Sequence, residues 1–321
     1  MLPDLVQRCI YLVRRNGWML DPSWFGHSWE DTPIDRPVFL LGVQGGGLTL
    51  LSRMLRRSPL AVSATGDHTY WSGADELQNV FGPLLPASLT GLRHKAPRDV
   101  AAPEPRGWVY ATDRLLAHYR NSAADASPDV AARFQRVLRW AIHRSARGRP
   151  ARLVDKSQVF TVKVSYVEAL LRGCQPIFLL VTRNPYALCQ RAAEGILPRQ
   201  IPFAQRLTLA AQHWRNSMAA ALDDAPHVGR FHVVRFEDVL SDTAAAVHTV
   251  CAAAEIPYDP ALLPGPGDRL PVGSRRHDRW YPVRADANLG YLQRLSRAHA
   301  DLVQGVLGDV AQRLGYDPPA D

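Results

Sequence analysis

Two stretches of the chain are apolar almost without interruption: 37–43, which reads PVFLLGV, and 176–182, which reads PIFLLVT. Each is too short for a core helix and is bounded by proline, glycine or polar residues, so each predicts a strand buried on both faces, as parallel sheets require. Shorter apolar runs at 60–64, 152–155 and 231–235 predict three more strands. Between them the period changes to that of a helix. Val130, Phe134, Val137, Leu138, Ala141 and Ile142 fall on one face of a predicted helix over 129–147. Further helices are predicted at 48–57, ending before Ser58-Pro59, at 160–172, from about Tyr186, at 203–222, at 241–254 with Ser241 or Asp242 as cap, and at 290–313. Residues 2–20 predict an amphipathic helix carrying Arg14 and Arg15, which packs on the domain surface.

Strands alternating with helices imply an α/β fold: a doubly wound, mostly parallel sheet with helices on both faces. The whole chain, 1–321, reads as a single domain. Residues 72–128 form a helical and loop excursion, with 82–107 rich in Pro, Gly and Arg, and 257–288 form a substrate-side loop. Neither internal repeats nor low-complexity tracts interrupt this order.

The first strong strand runs into Gly42-Val43-Gln44-Gly45-Gly46-Gly47-Leu48-Thr49 and then a helix. The spacing is that of a phosphate-binding loop, G-x-x-x-x-G-K-[ST], with Leu48 where a nucleotide triphosphatase needs lysine. Glycines let the backbone approach a ligand, successive N–H groups make an anion nest, and the helix start adds its own N–H groups. Thr49 adds a hydroxyl. The turn therefore suggests a nucleotide-like phosphate and argues against ATP or GTP hydrolysis. Val154-Asp155 is a poor magnesium-binding strand end because Lys156 follows at once. The second strong strand ends in Arg183-Asn184-Pro185, which sets a planar donor fork at a strand end. Both features lie where open α/β sheets bind ligands.

The net charge is +8 with a pI near 9.6, and arginine dominates the positive charge, which fits an anionic substrate. A nucleic-acid partner is not expected, since zinc-finger spacing, RNA-binding aromatics and a basic heptad helix are all missing. The absence of an 18-residue uncharged apolar run predicts no membrane span. Cys9, Cys174, Cys189 and Cys251 are widely separated and lack metal-ligand spacing, so a reduced, cytoplasmic protein without a metal is the simplest expectation.

Taken together, these segments resemble the sulfotransferases that use 3′-phosphoadenosine 5′-phosphosulfate (PAPS), as a divergent, bacterial-type member. The resemblance runs from about 37 to 316. It rests on FLLGVQGGGLTLLSRMLRRSP, on LVDKSQ followed by LLRGCQPIFLLVTRNPYAL, on Gln212-His213-Trp214 leading to FHVVRFEDVLSD, and on RWYPVRADANLGYLQRL with RLGY near the end. It implies a fold related to nucleotide kinases and metal-free transfer of a sulfuryl group from PAPS to a hydroxyl or amine. By the same resemblance Gly45, Gly46, Gly47, Leu48 and Thr49 hold the 5′-phosphosulfate, Arg183 holds the 3′-phosphate, and Glu237 and Asp238 hold structure near the site.

Three departures stand out. The family loop opens with Lys or Arg, and this chain has Gly45-Gly46-Gly47. Lys156, Lys163, Arg275 and Arg276 are candidates for the replacement cation. The family's serine eight residues after the 3′-phosphate arginine is here Arg191, itself able to hold phosphate. The family's C-terminal Arg-Lys-Gly clamp is absent, with Arg275-Arg276-His277 as substitute. The family's general base lies just past the second strand, where this chain has Asp67 and His68; His68 has the more suitable unperturbed pKa, and Asp67 acts as base or orients the ring. Tyr70 and Trp71 are candidate walls of an acceptor pocket, and the other histidines, His213 among them, are given no role. The acceptor is a carbohydrate, a lipid or a small natural product, and the oligomeric state stays open. A catalytically degenerate binding protein on the same fold, or a transferase using another anionic donor, is the alternative.

Overall fold

The computed structural model describes Cys9 and residues 22–26, 28–64, 75–81, 84–89, 109–265 and 283–319. Its centre is a five-stranded sheet: β1 (Val38–Leu41), β2 (Ala61–Val62), β3 (Arg152–Asp155), β4 (Ile177–Thr182) and β5 (Phe231–Arg235). The spatial order is β2-β3-β1-β4-β5 and every pairing is parallel. The two strongly apolar stretches are neighbours, in register from Val38 opposite Ile177 to Leu41 opposite Leu180. That explains their composition: both sit inside the sheet and are buried along their whole length.

Side chains alternate between the two faces. Phe39 and Leu41 of β1 join Phe178 and Leu180 of β4 in one core, and Val38 and Leu40 join Ile177 and Leu179 in the other. The rings of Phe39 and Phe178 stack at 5.7 Å. Burying side chains of this size contributes about 1.5–3 kcal/mol each.

The helices in chain order are α1 (Leu48–Leu55), α2 (Pro128–Ala146), α3 (Val164–Leu170), α4 (Pro185–Gly195), α5 (Phe203–Asp224), α6 (Phe236–Ser241), α7 (Thr243–Ala253), α8 (Leu289–Leu292), α9 (Arg297–Leu307) and α10 (Val310–Arg313). Short turns add to these at 22–25, 77–80 and 116–119. Helices α1 and α7 pack on the Val38 face, and α2, α4, α5 and α9 on the Phe39 face. Thus β1 leads to a helix on one face while its neighbour β4 leads to a helix on the other. The carboxyl ends of these two strands form a topological switch point, where the connections diverge and leave a crevice.

Several predicted boundaries are refined. The helix predicted at 160–172 is a 3₁₀ turn, Gln158–Val162, followed by α3, with a break at Lys163 (φ −146°, ψ 28°). The predicted C-terminal helix is three pieces; Ser296 starts a fresh helix by accepting from the His299 N–H, and Gly308 ends it at φ +60°. Asp242, rather than Ser241, caps α7. Among the described residues no helix is long and apolar enough to cross a membrane.

Candidate functional site

The crevice between β1 and β4 is floored by the glycine turn. Gly42 donates its N–H to Thr161 Oγ1 at 2.7 Å, fixing the turn's start to the segment after β3. Gly46 N donates to Val43 O at 3.0 Å, closing the turn. Gly47 is the N-cap of α1 at φ +104°, and a Cβ there would run into the Phe236 ring, so position 47 accepts only glycine. Leu50 and Leu51 both donate to Gly47 O. The N–H groups of Gly45, Gly47, Leu48 and Thr49 have no acceptor among the described residues. They are the orphan donors of a turn and a helix start, gathered at one place. Leu48 is buried in the core beneath the turn, so position 48 offers its N–H and no side-chain charge.

Arg183 closes the crevice from the β4 side. The sequence explains its setting: Asn184 caps α4 by accepting from the Ala187 N–H at 3.0 Å, and Pro185 takes the first helical position, leaving Arg183 as the last residue of the strand exit. Its side chain is buried. Nη1 donates to Gly45 O at 2.8 Å, Nε to Asn288 Oδ1 at 2.7 Å and Nη2 to Ala287 O at 3.1 Å, with the guanidinium 5.1 Å from the Phe236 ring centre. Arg183 therefore braces the glycine turn against the chain before α8, a role its sequence position did not reveal. Glu237 extends this brace. Its Oε1 accepts from Asn184 N (2.9 Å) and Asn288 Nδ2 (2.6 Å), and its Oε2 from the Tyr316 hydroxyl (2.8 Å).

Arg191, two turns along α4, leans over the same turn. A Cβ built on Gly45 would overlap Arg191 Nη1 and lie 3.0 Å from its Cζ. Gly45 also has φ +86°, a left-handed backbone that strains any side chain, and a side chain there would have to displace the guanidinium. Arg191 Nη1 is buried and has no hydrogen-bond partner among the described residues. The nearest acid on its helix, Glu194, is engaged by Gln190 Nε2 and, through both oxygens, by Arg294.

Two of the proposed replacement cations are occupied elsewhere. Lys156, directly after β3, is buried with Nζ 3.0 Å from Asp75 Oδ1 and 2.9 Å from Glu76 Oε1. Asp75 also pairs with Arg56 at 2.6 Å. Burial alone would raise the Asp75 carboxyl, but Lys156, Arg53 and Arg56 hold it below the usual range, whereas burial lifts Glu76. Asp155 beside them is pushed up to about 6 by burial, against hydrogen bonds from the Leu77 and Ser157 N–H groups. Lys163 Nζ donates to Asn121 Oδ1 at 2.5 Å. Asp67, His68, Tyr70, Trp71, Arg275, Arg276 and His277 lie outside the described residues.

Beside the turn is a cavity of about 30 Å³, with Val43, Gln44, Leu188, Ile196, His213 and Trp214 in its wall. Gln44 Oε1, His213 Nε2 and Trp214 Nε1 are buried without partners among the described residues. The Ala111 N–H donates to His213 Nδ1 at 3.2 Å, which leaves the hydrogen on Nε2. Burial depresses the His213 pKa to about 3, so the ring is neutral. A volume of this size suits one or two waters or the end of a small polar group. Sequence reasoning gave His213 no role; only the packing of α5 against α4 reveals its place.

Comparison with known proteins bears on this arrangement. No curated protein matches the sequence. Among solved structures, the sulfotransferase domain from the Synechococcus PCC 7002 olefin synthase is similar at TM-score 0.56 and 20% identity, over 90% of this chain and 98% of that one. The sulfotransferase STF9 from Mycobacterium avium is similar at TM-score 0.54 and 15% identity, over 94% of this chain and 82% of that one. The sulfotransferase domain from the curacin biosynthetic pathway is similar at TM-score 0.51 and 16% identity, over 89% of this chain and all of that one. At these identities the likeness concerns the fold. The sequence profile described as the sulfotransferase family matches residues 37–260, more than half of the chain, and on that ground, with the fold in agreement, the chain belongs to the sulfotransferase family.

Proposed function

We propose that the protein transfers a sulfuryl group from PAPS to a hydroxyl or amine of a carbohydrate, lipid or small natural product. One observation carries this reading: unpartnered N–H groups of a braced glycine turn meet a buried, unpartnered guanidinium nitrogen at the sheet's switch point. Such a cradle fits a phosphate-like anion. With Leu48 in the lysine position, it suits a donor whose reacting group is a phosphosulfate better than a nucleoside triphosphate.

In this reaction the acceptor oxygen or nitrogen bonds to sulfur while the bond from sulfur to the bridging phosphate oxygen breaks. The acceptor's proton passes to a base. The products are the sulfated acceptor and adenosine 3′,5′-bisphosphate. The chain's share is to hold the 5′ end in Gly45 to Thr49, to keep that turn fixed through Arg183, and to supply the base from Asp67 and His68. Arg275 and Arg276 serve the 3′-phosphate. The cavity under Gln44 supports an acceptor whose inserted end is uncharged, because its histidine is neutral and none of the described residues in its wall is charged.

The test is calorimetric titration with adenosine 3′,5′-bisphosphate, with ATP and 5′-AMP as controls. Selective micromolar binding of the bisphosphate is expected, and failure to bind it would overturn the donor assignment. One observation favours a second reading, a nucleotide-binding protein that has lost transfer: Arg183 spends a hydrogen bond from each of its three nitrogens on the protein itself. That reading predicts bisphosphate binding with no transfer of labelled sulfate from PAPS to any acceptor in a broad panel.

A further inference from the structure

We infer that Arg191 is the cation of the glycine turn, delivered from α4 into the space that a side chain at position 45 would fill, and that Gly45 and Arg191 act as one unit. The inference rests on the PAPS reading above and deepens it. It moves Arg191 from the 3′-phosphate, where its place in the sequence put it, to the 5′-phosphosulfate.

The first support is geometric. A Cβ on Gly45 would overlap Arg191 Nη1, so the guanidinium stands within the volume of an absent side chain at the head of the turn. The second is the want of a partner. Arg191 Nη1 is buried with no acceptor among the described residues, and a buried cationic donor is stabilised when an anion meets it. The same turn supplies N–H donors at Gly45, Gly47, Leu48 and Thr49 that also lack acceptors. One anion seated on the turn satisfies both sets. The third is elimination among the described residues, which leave out Arg275 and Arg276. Lys156 is held by Asp75 and Glu76, Lys163 by Asn121, and Arg183 by Gly45 O, Asn288 and Ala287. Glu194, the acid best placed on α4 to neutralise Arg191, is taken by Arg294. Arg191 thus faces the turn with its charge unspent.

Placed there, the guanidinium stabilises the negative charge that gathers on the 5′-phosphate oxygen as its bond to sulfur breaks. The loss of a basic residue at 45 and the gain of one at 191 are then a single exchange rather than two defects.

The test uses the full chain and three probes: adenosine 3′,5′-bisphosphate, 3′-AMP, which lacks the 5′-phosphate, and 5′-AMP, which lacks the 3′-phosphate. The parent should bind the bisphosphate about tenfold or more tighter than 3′-AMP, the scale of a charge-assisted phosphate contact. R191S should shrink that ratio to within about threefold and leave the ratio of bisphosphate to 5′-AMP unchanged. R191K, which keeps charge but not the fork, should fall between parent and R191S. An R191S protein with the first ratio intact, or with the second ratio collapsed instead, would overturn the assignment, as would a folded R191K protein whose first ratio is no larger than that of R191S. A parent that binds no bisphosphate removes the PAPS reading and this inference with it; that outcome is distinguishable because it appears before any variant is made.

Discussion

Lys156 and Arg191 both belong to segments that follow strands of the same sheet, and both carry buried cationic nitrogen. Lys156 Nζ meets two carboxylates, Asp75 and Glu76, and the cluster is extended by Arg56 and by Asp155. Arg191 Nη1 has no hydrogen-bond partner among the described residues. Charge closed within the chain fixes the junction between β3 and the segment around 75–80. Charge left open over a turn of unpartnered N–H groups awaits something from outside. Lys156 is buried throughout and Arg191 only at this nitrogen, but it is the partners of the two nitrogens that separate them.

Breaking the closed cluster should have the largest effect. Lys156→Met leaves Asp75 and Glu76 buried against each other and should lower the unfolding free energy by about 3–5 kcal/mol, read by denaturant titration; a loss under about 1 kcal/mol would show that the cluster is not a structural anchor. Arg183 lies between the two cases, charged and inside the crevice yet bonded to the protein. Arg183→Ala should cost about 2–3 kcal/mol by stranding Gly45 O, Asn288 and Ala287, and bisphosphate binding should fall with it. Weakened binding at unchanged stability would instead return Arg183 to a direct phosphate role. The smallest effect sharpens the open side. Gly45→Ala should cost about 1–2 kcal/mol for its backbone conformation, plus an overlap term that vanishes in an R191S background. Strict additivity in that double-mutant cycle would mean that Arg191 does not occupy the space at position 45.

The strands at 37–43 and 176–182 were legible because a buried parallel strand leaves an unbroken apolar run, and Asn184-Pro185 announced the end of β4. The glycine turn was legible for the same local reason. Helix breaks were not. Lys163 interrupts a helical period with neither glycine nor proline to mark the break, and its side chain bonds to Asn121, 42 residues away. The brace at Arg183 and Glu237 joins β4, the chain before α8 and Tyr316, three places with no common local pattern. The lean of Arg191 over Gly45 depends on where α4 crosses the end of β1. Its only sequence trace was a pair of departures, a missing base at 45 and an added one at 191, which looked like separate losses until the fold brought them together.

A long basic residue at 45 and arginine at 191 in this rotamer would claim one volume, so a side chain gained at 45 has to push the guanidinium off the turn. The two positions thus share a single seat above the turn. A change at either one is felt at the other.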